Sequence, residues 1–526
     1  MQRRTVLKSA AAISATLAAP RISRADGPKT VRFVPHADLA SIDPVWTTAD
    51  ITRNYSLAVF DTLYGYDAQF QVQPQMVEGH RVEDDGKTWE LTLRDGLVFH
   101  DGQKVLARDC VASIKRFGTR DPFGQALMQR VAEVSAPSDT VIRFRLNKPF
   151  PLLPNALAQV YCAIMPTRLA ATDPMKQIPE AIGSGPFKFL ADERIPGSRV
   201  VFSKNAAYVP RKSGTPSFNA GPKIVNVDRV VWNFIPDPAT ASAALQQGEI
   251  DWWENPSLDL VPQIKTYKDV TVTVKDRTGE MGCLRFNHLF PPFDNVAIRR
   301  VAVAAIDQKE VMEAVAGAEP SLYKTDVGIF VPGTPMASTA GVEATRGPKD
   351  YAKLKQDLAA AGYNGEKIVV LAATTIPTIW AEAQVATDML TKTGFNVDLQ
   401  SMEWGSVVQR RASRELPDKG GWNIFYTWLG GFGNISPAPN IAIRGNATAA
   451  WFGWPTNEKI EQLYAAWFDA PDPAAQQKIC DAMQVAFWQN PTYVPLGMYD
   501  QPTAFHNYMH DIPDGWPQFY GLKKLS

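Results

Sequence analysis

The sequence predicts an α/β protein of more than one domain, on three observations. At 526 residues the chain is longer than the roughly 250–300 residues at which a single hydrophobic core stops growing. A strand–helix–strand pattern over 365–404 gives a βαβ unit, which calls for a parallel pair and a right-handed crossover. The texture of the chain also changes near residues 183, 277 and 495, dividing it into stretches of different strand and helix content.

The first 25 residues read as a leader and not as fold. "MQRRTVLKSAAAISATLAAPRISRA" has a basic start, a short Ala-rich apolar run and small residues at Ser23 and Ala25, where a signal peptidase reads. Arg3-Arg4 followed by Val6-Leu7-Lys8 is similar to a twin-arginine export signal, with an ordinary secretory signal as the alternative. Cleavage after Ala25 takes five basic residues from 54, leaving 49 against 54 acidic ones, a net of −5. A negative mature chain argues against nucleic acid or an anionic membrane surface as partner. No later segment is apolar for long enough to insert in a membrane, and no cysteine near the cleavage site suggests a lipid anchor. The expected product is free in the periplasm.

The elements follow in order. Val31 and Phe33 alternate in a first strand that runs into a loop. A turn at Asp84-Asp85-Gly86 opens a second strand, with Trp89, Leu91 and Leu93 on one face and Thr88, Glu90 and Thr92 on the other. "ARDCVASIKRF" has helical spacing, and "TVIRFRLNKPF" alternates again, so the chain up to about 180 is an α+β unit. From 183 to 276 the strands "GPFKFL", "RVVFSKN", "DRVVWNFIP" and "DVTVTVKD" surround one helix, which begins near Pro238 and stops near Gly248. "FDNVAIRRVAVAAIDQKEVMEAVAG" then reads as one long helical stretch, capped at Asp294 or Asn295 and ended by Gly317. The βαβ unit comes next. Two amphipathic helices follow, near 456–469 and 473–489, and a strand-and-loop ending closes the chain.

Catalytic and metal chemistry find little support. There is no GxSxG, HExxH, Walker A or GxGxxG pattern, and Asp84-Asp85 belongs to a turn. His506 and His510 are spaced i, i+4, but they follow a strand and precede Pro513, so no metal and no cofactor is assigned. Cys110, Cys162, Cys283 and Cys480 form no CxxC pair. They read either as buried thiols or, in an oxidising compartment, as a possible disulfide.

Several spaced segments carry a family resemblance. "LTLRDGLVFHDGQKVLARDCVASIKRF" (91–117) resembles the signature of the periplasmic dipeptide/oligopeptide-binding proteins of ABC importers, family 5. "GSGPFKF" (183–189), "FNHLFPPFDNVAIRRVAVAAID" (286–307), "AAAGYNG" (359–365) and "VDLQSMEW" (397–404) are similar to further landmarks of that family, in its order. The resemblance implies a two-lobed periplasmic-binding-protein-like fold (type II) with an extra α+β domain inserted in the first lobe. Lobe 1 would comprise 29–60, 187–276 and 498–526, the inserted domain 61–186, and lobe 2 277–497. It also implies a monomeric, non-catalytic receptor that closes by a hinge on a small-molecule or peptide ligand and hands it to ABC transporter permease subunits. A true di- or oligopeptide-binding protein and, from another class, a periplasmic hydrolase are the alternatives.

"YTWLGGFGNISP" (426–437) bears on the cargo. In the family's dipeptide binders the loop after a Gly-Trp pair carries an aspartate for the ligand ammonium, yet Trp428–Asn434 holds no acid. The arginine that precedes the following helix in those binders is missing from "LAATTIPT" (371–378) as well. Enclosing two unpaired ligand charges costs several kcal/mol each, against about 8 kcal/mol for a micromolar site. Either other residues replace the clamps, or the cargo lacks a standard zwitterionic backbone, which is the reading adopted. Expected ligand-binding residues are Asp38 and Asp43 in the first loop, with Trp404, Trp422, Trp428, Phe432 and Asn434. Arg410, Arg411 and Arg414, on the helix after Trp404, are candidates to replace a clamp but read first as a solvated basic helix face, and His36 reads as an ordinary hydrogen-bonding residue.

Overall fold

Two large sheets and one small one organise the chain. A computed structural model describes residues 29–525, apart from Ala318 and Pro471, so the expected leader lies outside the described residues. The seven-stranded sheet runs in the order Val270–Val274, Pro502–His506, Trp252–Trp253, Thr30–Val34, Arg229–Asn233, Arg199–Lys204, Phe187–Phe189. Thr30–Val34 lies at its centre, parallel to both neighbours, with Phe33 sealed against Trp232, Trp252 and Phe519. Val31, Phe33 and Val34 are buried in this central strand, while Arg32 between them is half-buried and pairs with Asp251 at 2.6 Å.

The second sheet has six strands, in the order Tyr323–Lys324, Tyr493–Tyr499, Glu280–Phe286, Ile424–Gly430, Lys367–Ala373, Asn396–Met402. Lys367–Ala373 and Asn396–Met402 pair in parallel around the helix Pro377–Thr393, the βαβ unit expected from the sequence. That helix ends at Gly394 with φ 106°, a left-handed conformation open to glycine at no steric cost. The chain passes between the two large sheets twice, through 275–279 and 500–501. The four-stranded antiparallel sheet, built from Val77–Glu83, Thr88–Leu93, Val141–Leu146 and Val131–Ser135, is packed by the helix Ala107–Arg120. Asp84 and Asp85, both at positive φ, make the tight turn that joins its first two strands.

One expected element is corrected. The long helix over 296–316 is two, Val296–Ala305 and Gln308–Ala316. Ile306 and Asp307 are extended, and the Asp307 carboxylate accepts from the Lys309 backbone N–H. A short acidic side chain that bonds its own backbone competes with helix continuation, and here it starts a new helix. Asn295 caps the first of the two by accepting from the Ala297 N–H. The four cysteines are free and buried. His506 Nε2 donates to the Leu245 carbonyl, 2.8 Å away, while His510 is exposed, and no group of three metal-ligating side chains occurs among the described residues.

Candidate functional site

A cleft lies where the two large sheets and the smaller sheet's domain meet, and three adjoining hollows fill it. The central one, about 110 Å³, is lined from one side by His36, Asp50, Arg53 and Trp516 and from the other by Trp404, Arg411, Trp428, Phe432 and Trp451. A larger chamber of about 420 Å³ shares Thr48, Asp121, Tyr161, Ile441 and Trp451 with it. A small one of about 50 Å³ shares His36, Arg53, Trp428 and Trp516 and reaches Glu280.

The uncharged stretch forms one wall. Ile424–Gly430 is a strand paired antiparallel to Glu280–Phe286, and Gly431–Asn434 turns away from its end. A Cβ at Gly431 would run into the Thr278 carbonyl, so glycine there lets the turn lie against the 278–279 backbone, while Gly430 beside it faces the Arg53–Asp50 ion pair. Trp428 packs on His36 at 5.5 Å, and Asn434 Nδ2 donates to the Gly430 carbonyl. Phe432 is enclosed by Tyr66, Phe70, Phe218 and Trp516 at 5.0, 5.6, 5.6 and 5.0 Å. It therefore joins the second large sheet's side of the cleft to the other, and the molecule is closed.

Acidic groups gather opposite the wall. Asp50 opens the helix Asp50–Val59, and Arg53, one turn on, pairs with it at 2.9 Å, both side chains more than nine-tenths buried. Asp50 Oδ2 and Glu280 Oε2 have no hydrogen-bond partner among the described residues. Burial pushes Asp50 above the usual carboxylate range in spite of Arg53. Burial, together with Asp50 and Asp276, holds Glu280 well above it. Four carboxylates, those of Asp50, Glu254, Asp276 and Glu280, act on one another here around Arg53 and His36.

Arg411 is the opposite case. It is 2% exposed, and its guanidinium makes no ion pair or hydrogen bond among the described residues; Nε and Nη2 are sealed without partners. Trp404, Phe425, Trp451 and Phe452 surround it at 5.3, 5.6, 5.7 and 5.0 Å. Burial pushes it down to about 10, so it is still charged at neutral pH. The aromatic faces return part of the lost hydration, at about 2 kcal/mol each when desolvated, and leave the hydrogen-bonding fork unused. The expectation of a solvated basic face is thus corrected for Arg411. Arg410 donates to Gln400 and the Gly420 carbonyl, and Arg414 is exposed.

The other sequence-derived positions divide. Trp404, Trp428, Phe432 and Asn434 line the central hollow. Asp43, Asp38 and Trp422 line none of the three. Asp43 is fully buried, pairs with Arg116 at 2.7 Å and accepts from the N–H groups of Val45, Trp46 and Ile178, so its oxygens are committed to holding the first loop. Asp38 accepts from the Gly197 N–H, and Trp422 is a core residue against Phe425 and Trp454. Sequence reasoning missed Asp50, Arg53, Asp121, Tyr161, Trp451 and Trp516. Of these, only Asp50 and Arg53, an i, i+3 pair at a helix start, left a local signal.

Asp121 caps the helix Pro122–Met128, and burial pushes it up to about 7, against the two N–H bonds from Gly124 and Phe123. A carboxyl raised in the folded state contributes stability fully below its unfolded value of 3.8 and loses it as the pH rises through about 7. Asp121→Asn keeps the cap, so the variant is expected to gain thermal stability over the natural chain as the pH goes from about 5 to 8. Parallel melting curves across that range would remove Asp121 as the titrating group.

With this geometry in place, comparison with known proteins is decisive. Residues 71–449 match the family model "Bacterial extracellular solute-binding proteins, family 5 Middle". The chain belongs to family 5. A "Probable peptide ABC transporter periplasmic-binding protein" of Sinorhizobium fredii is 37% identical, over 100% of this chain and 99% of the relative. The glutathione-binding protein of Escherichia coli K12 is 24% identical, over 88% and 87%. Among solved structures, the fold matches the periplasmic binding protein AgaA of A. tumefacien R10, determined with agropinic acid (TM-score 0.78, 22% identity, 94% of this chain and 99% of that one). It likewise matches the DppA protein of Helicobacter pylori with peptide STSA (0.77, 20%, 94% and 98%). The two-lobed α/β architecture of family 5 is therefore the architecture of this chain, which captures a small ligand for an ABC importer. Its relatives are binding proteins, and no helix among the described residues is long and apolar enough to cross a membrane.

Proposed function

We propose that this family 5 receptor is a monomeric, non-catalytic periplasmic protein that closes on a small ligand bearing an acidic group, and that Arg411 binds that group. Lobe 1 would comprise 29–60, 187–276 and 498–526, the inserted domain 61–186, and lobe 2 277–497, with 275–279 and 500–501 as the hinge. The observation that carries the reading is the buried, unpartnered Arg411 guanidinium at the cleft. A cation stripped of water without a counter-ion costs several kcal/mol, and a carboxylate in the cleft would offset that cost with a bidentate pair. The Asp50 and Glu280 oxygens, also unpartnered, suit a ligand ammonium. Burial raises Glu280, and an arriving ammonium would draw it back toward its charged form.

Both charge clamps of a dipeptide binder are thus rebuilt at other positions, and the uncharged wall takes the ligand's middle. The relatives' printed names, peptide and glutathione, fit a peptide-like cargo that carries both an ammonium and a carboxylate, so the first alternative, clamps replaced by other residues, is favoured over a cargo lacking the zwitterion. A long peptide fits poorly, because the hollows are of small-molecule size, for which roughly 300–1,000 Å³ is typical. Native mass spectrometry of protein exported and purified without refolding, beside a denatured extract, tests the reading. A trapped acidic molecule released unchanged supports it, and a chemically altered one would make the protein a hydrolase. Trp428→Ala is expected to weaken binding by more than roughly tenfold in titration calorimetry. An unchanged affinity would take the Trp428 wall out of the binding site.

A further inference from the structure

The larger chamber carries charge that the reading above leaves unused. Its walls include Arg120 and Arg414. Neither makes an ion pair among the described residues. Arg120 donates to the Met175 sulfur and, at 3.3 Å, to the Trp46 carbonyl, while Arg414 donates to the Thr448 carbonyl and lies 4.8 Å over Trp454. The two belong to different sides of the cleft. Arg120 ends the helix Ala107–Arg120 and Arg414 follows the helix Trp404–Arg410; burial lowers Arg120, Asp43 opposes this, and Arg116 and, across the chamber, Arg414 add to it. Asp121 is the only acid lining that chamber, and its Oδ1 is occupied by the N–H groups of Phe123 and Gly124.

Two like charges lining one chamber oppose its closure unless an anion stands between them. The surfaces the chambers share at Thr48, Tyr161 and Trp451 make the arrangement continuous, from Asp50 past Arg411 to the Arg120–Arg414 pair. Resting on the assignment of Arg411 to a first acidic group, we infer that the Arg120–Arg414 chamber is a second anion subsite and that the cargo is an amine carrying two separated carboxylates, negative overall. The second carboxylate bridges the lobes and is read only in the closed protein.

The test uses the full mature chain, freed of co-purified molecules, and titrates γ-L-glutamylglycine and glutathione, each beside its glycine amide. Both acids carry one ammonium and two carboxylates, and each amide lacks the second carboxylate. The acids are expected to bind about tenfold or more tightly than the amides, as the loss of a charge-assisted bond implies. Arg120→Gln and Arg414→Gln should each remove that advantage by weakening the acids, while the amides bind no less tightly because the like-charge repulsion is relieved, and Arg120→Lys should restore part of the advantage. Equal affinity for acid and amide, with Arg411→Gln still abolishing both, would overturn the second subsite and leave the first. Binding of both that survives Arg411→Gln would overturn the underlying assignment. Failure of the natural chain to bind either acid would overturn the proposed ligand class.

Discussion

Arg411→Gln is expected to weaken ligand binding by roughly 100-fold or more, as for truncation of one partner of a buried charge pair, which costs about 2–5 kcal/mol. The free protein should be no less stable, and more stable if anything. The natural side chain is a desolvated cation with no counter-ion, so a neutral amide in the same aromatic box relieves the unbound state. That combination, lost binding with retained or raised melting temperature, separates a ligand clamp from a structural arginine such as Arg116, whose removal would leave Asp43 buried and unpaired. Arg410→Gln is the control, since Arg410 points to Gln400 and the Gly420 carbonyl and lies outside the hollows. A melting temperature that falls sharply in Arg411→Gln, with affinity preserved, would return Arg411 to the scaffold.

The second large effect is expected at Phe432. Its ring, carried by the loop Gly431–Asn434 at the end of a strand of the second large sheet, sits among four aromatic rings contributed by the other side of the cleft. Phe→Ala at a buried site costs about 3–5 kcal/mol, and here most of that cost falls on the closed form, because opening withdraws the ring from its socket. Phe432→Ala should therefore lower apparent affinity by roughly 100-fold through the population of the competent state. Small-angle scattering should show a larger radius of gyration for the ligand-loaded variant than for the loaded natural chain. Identical scattering with weakened binding would make Phe432 a direct ligand contact and not a latch.

Much of the fold was legible because it is local. Alternation in "VRFV" and "WELTL" marks strands whose faces differ, Asp-Asp-Gly marks a turn, and the 365–404 segment writes out a βαβ unit. The one element misread, the helix broken at Asp307, turned on whether a polar side chain bonds its own backbone or solvent, which periodicity does not report. Half of the site was legible for a different reason. Trp428, Phe432 and Asn434 stand in a glycine-rich turn with no charge to solvate, and such a turn has few uses away from a surface contact.

By itself the sequence determined the α/β class, the change from one unit to the next along the chain, and the absence of acid from the wall. Only the tertiary structure decided where the charges went. Asp43 and Arg411 look alike in sequence, each a polar residue near aromatics, yet Arg116 comes from a distant helix to neutralise the first and nothing comes to the second. Whether a buried charge is structural or waits for a ligand depends on what long-range packing brings within about 4 Å of it, and local sequence does not encode that distance.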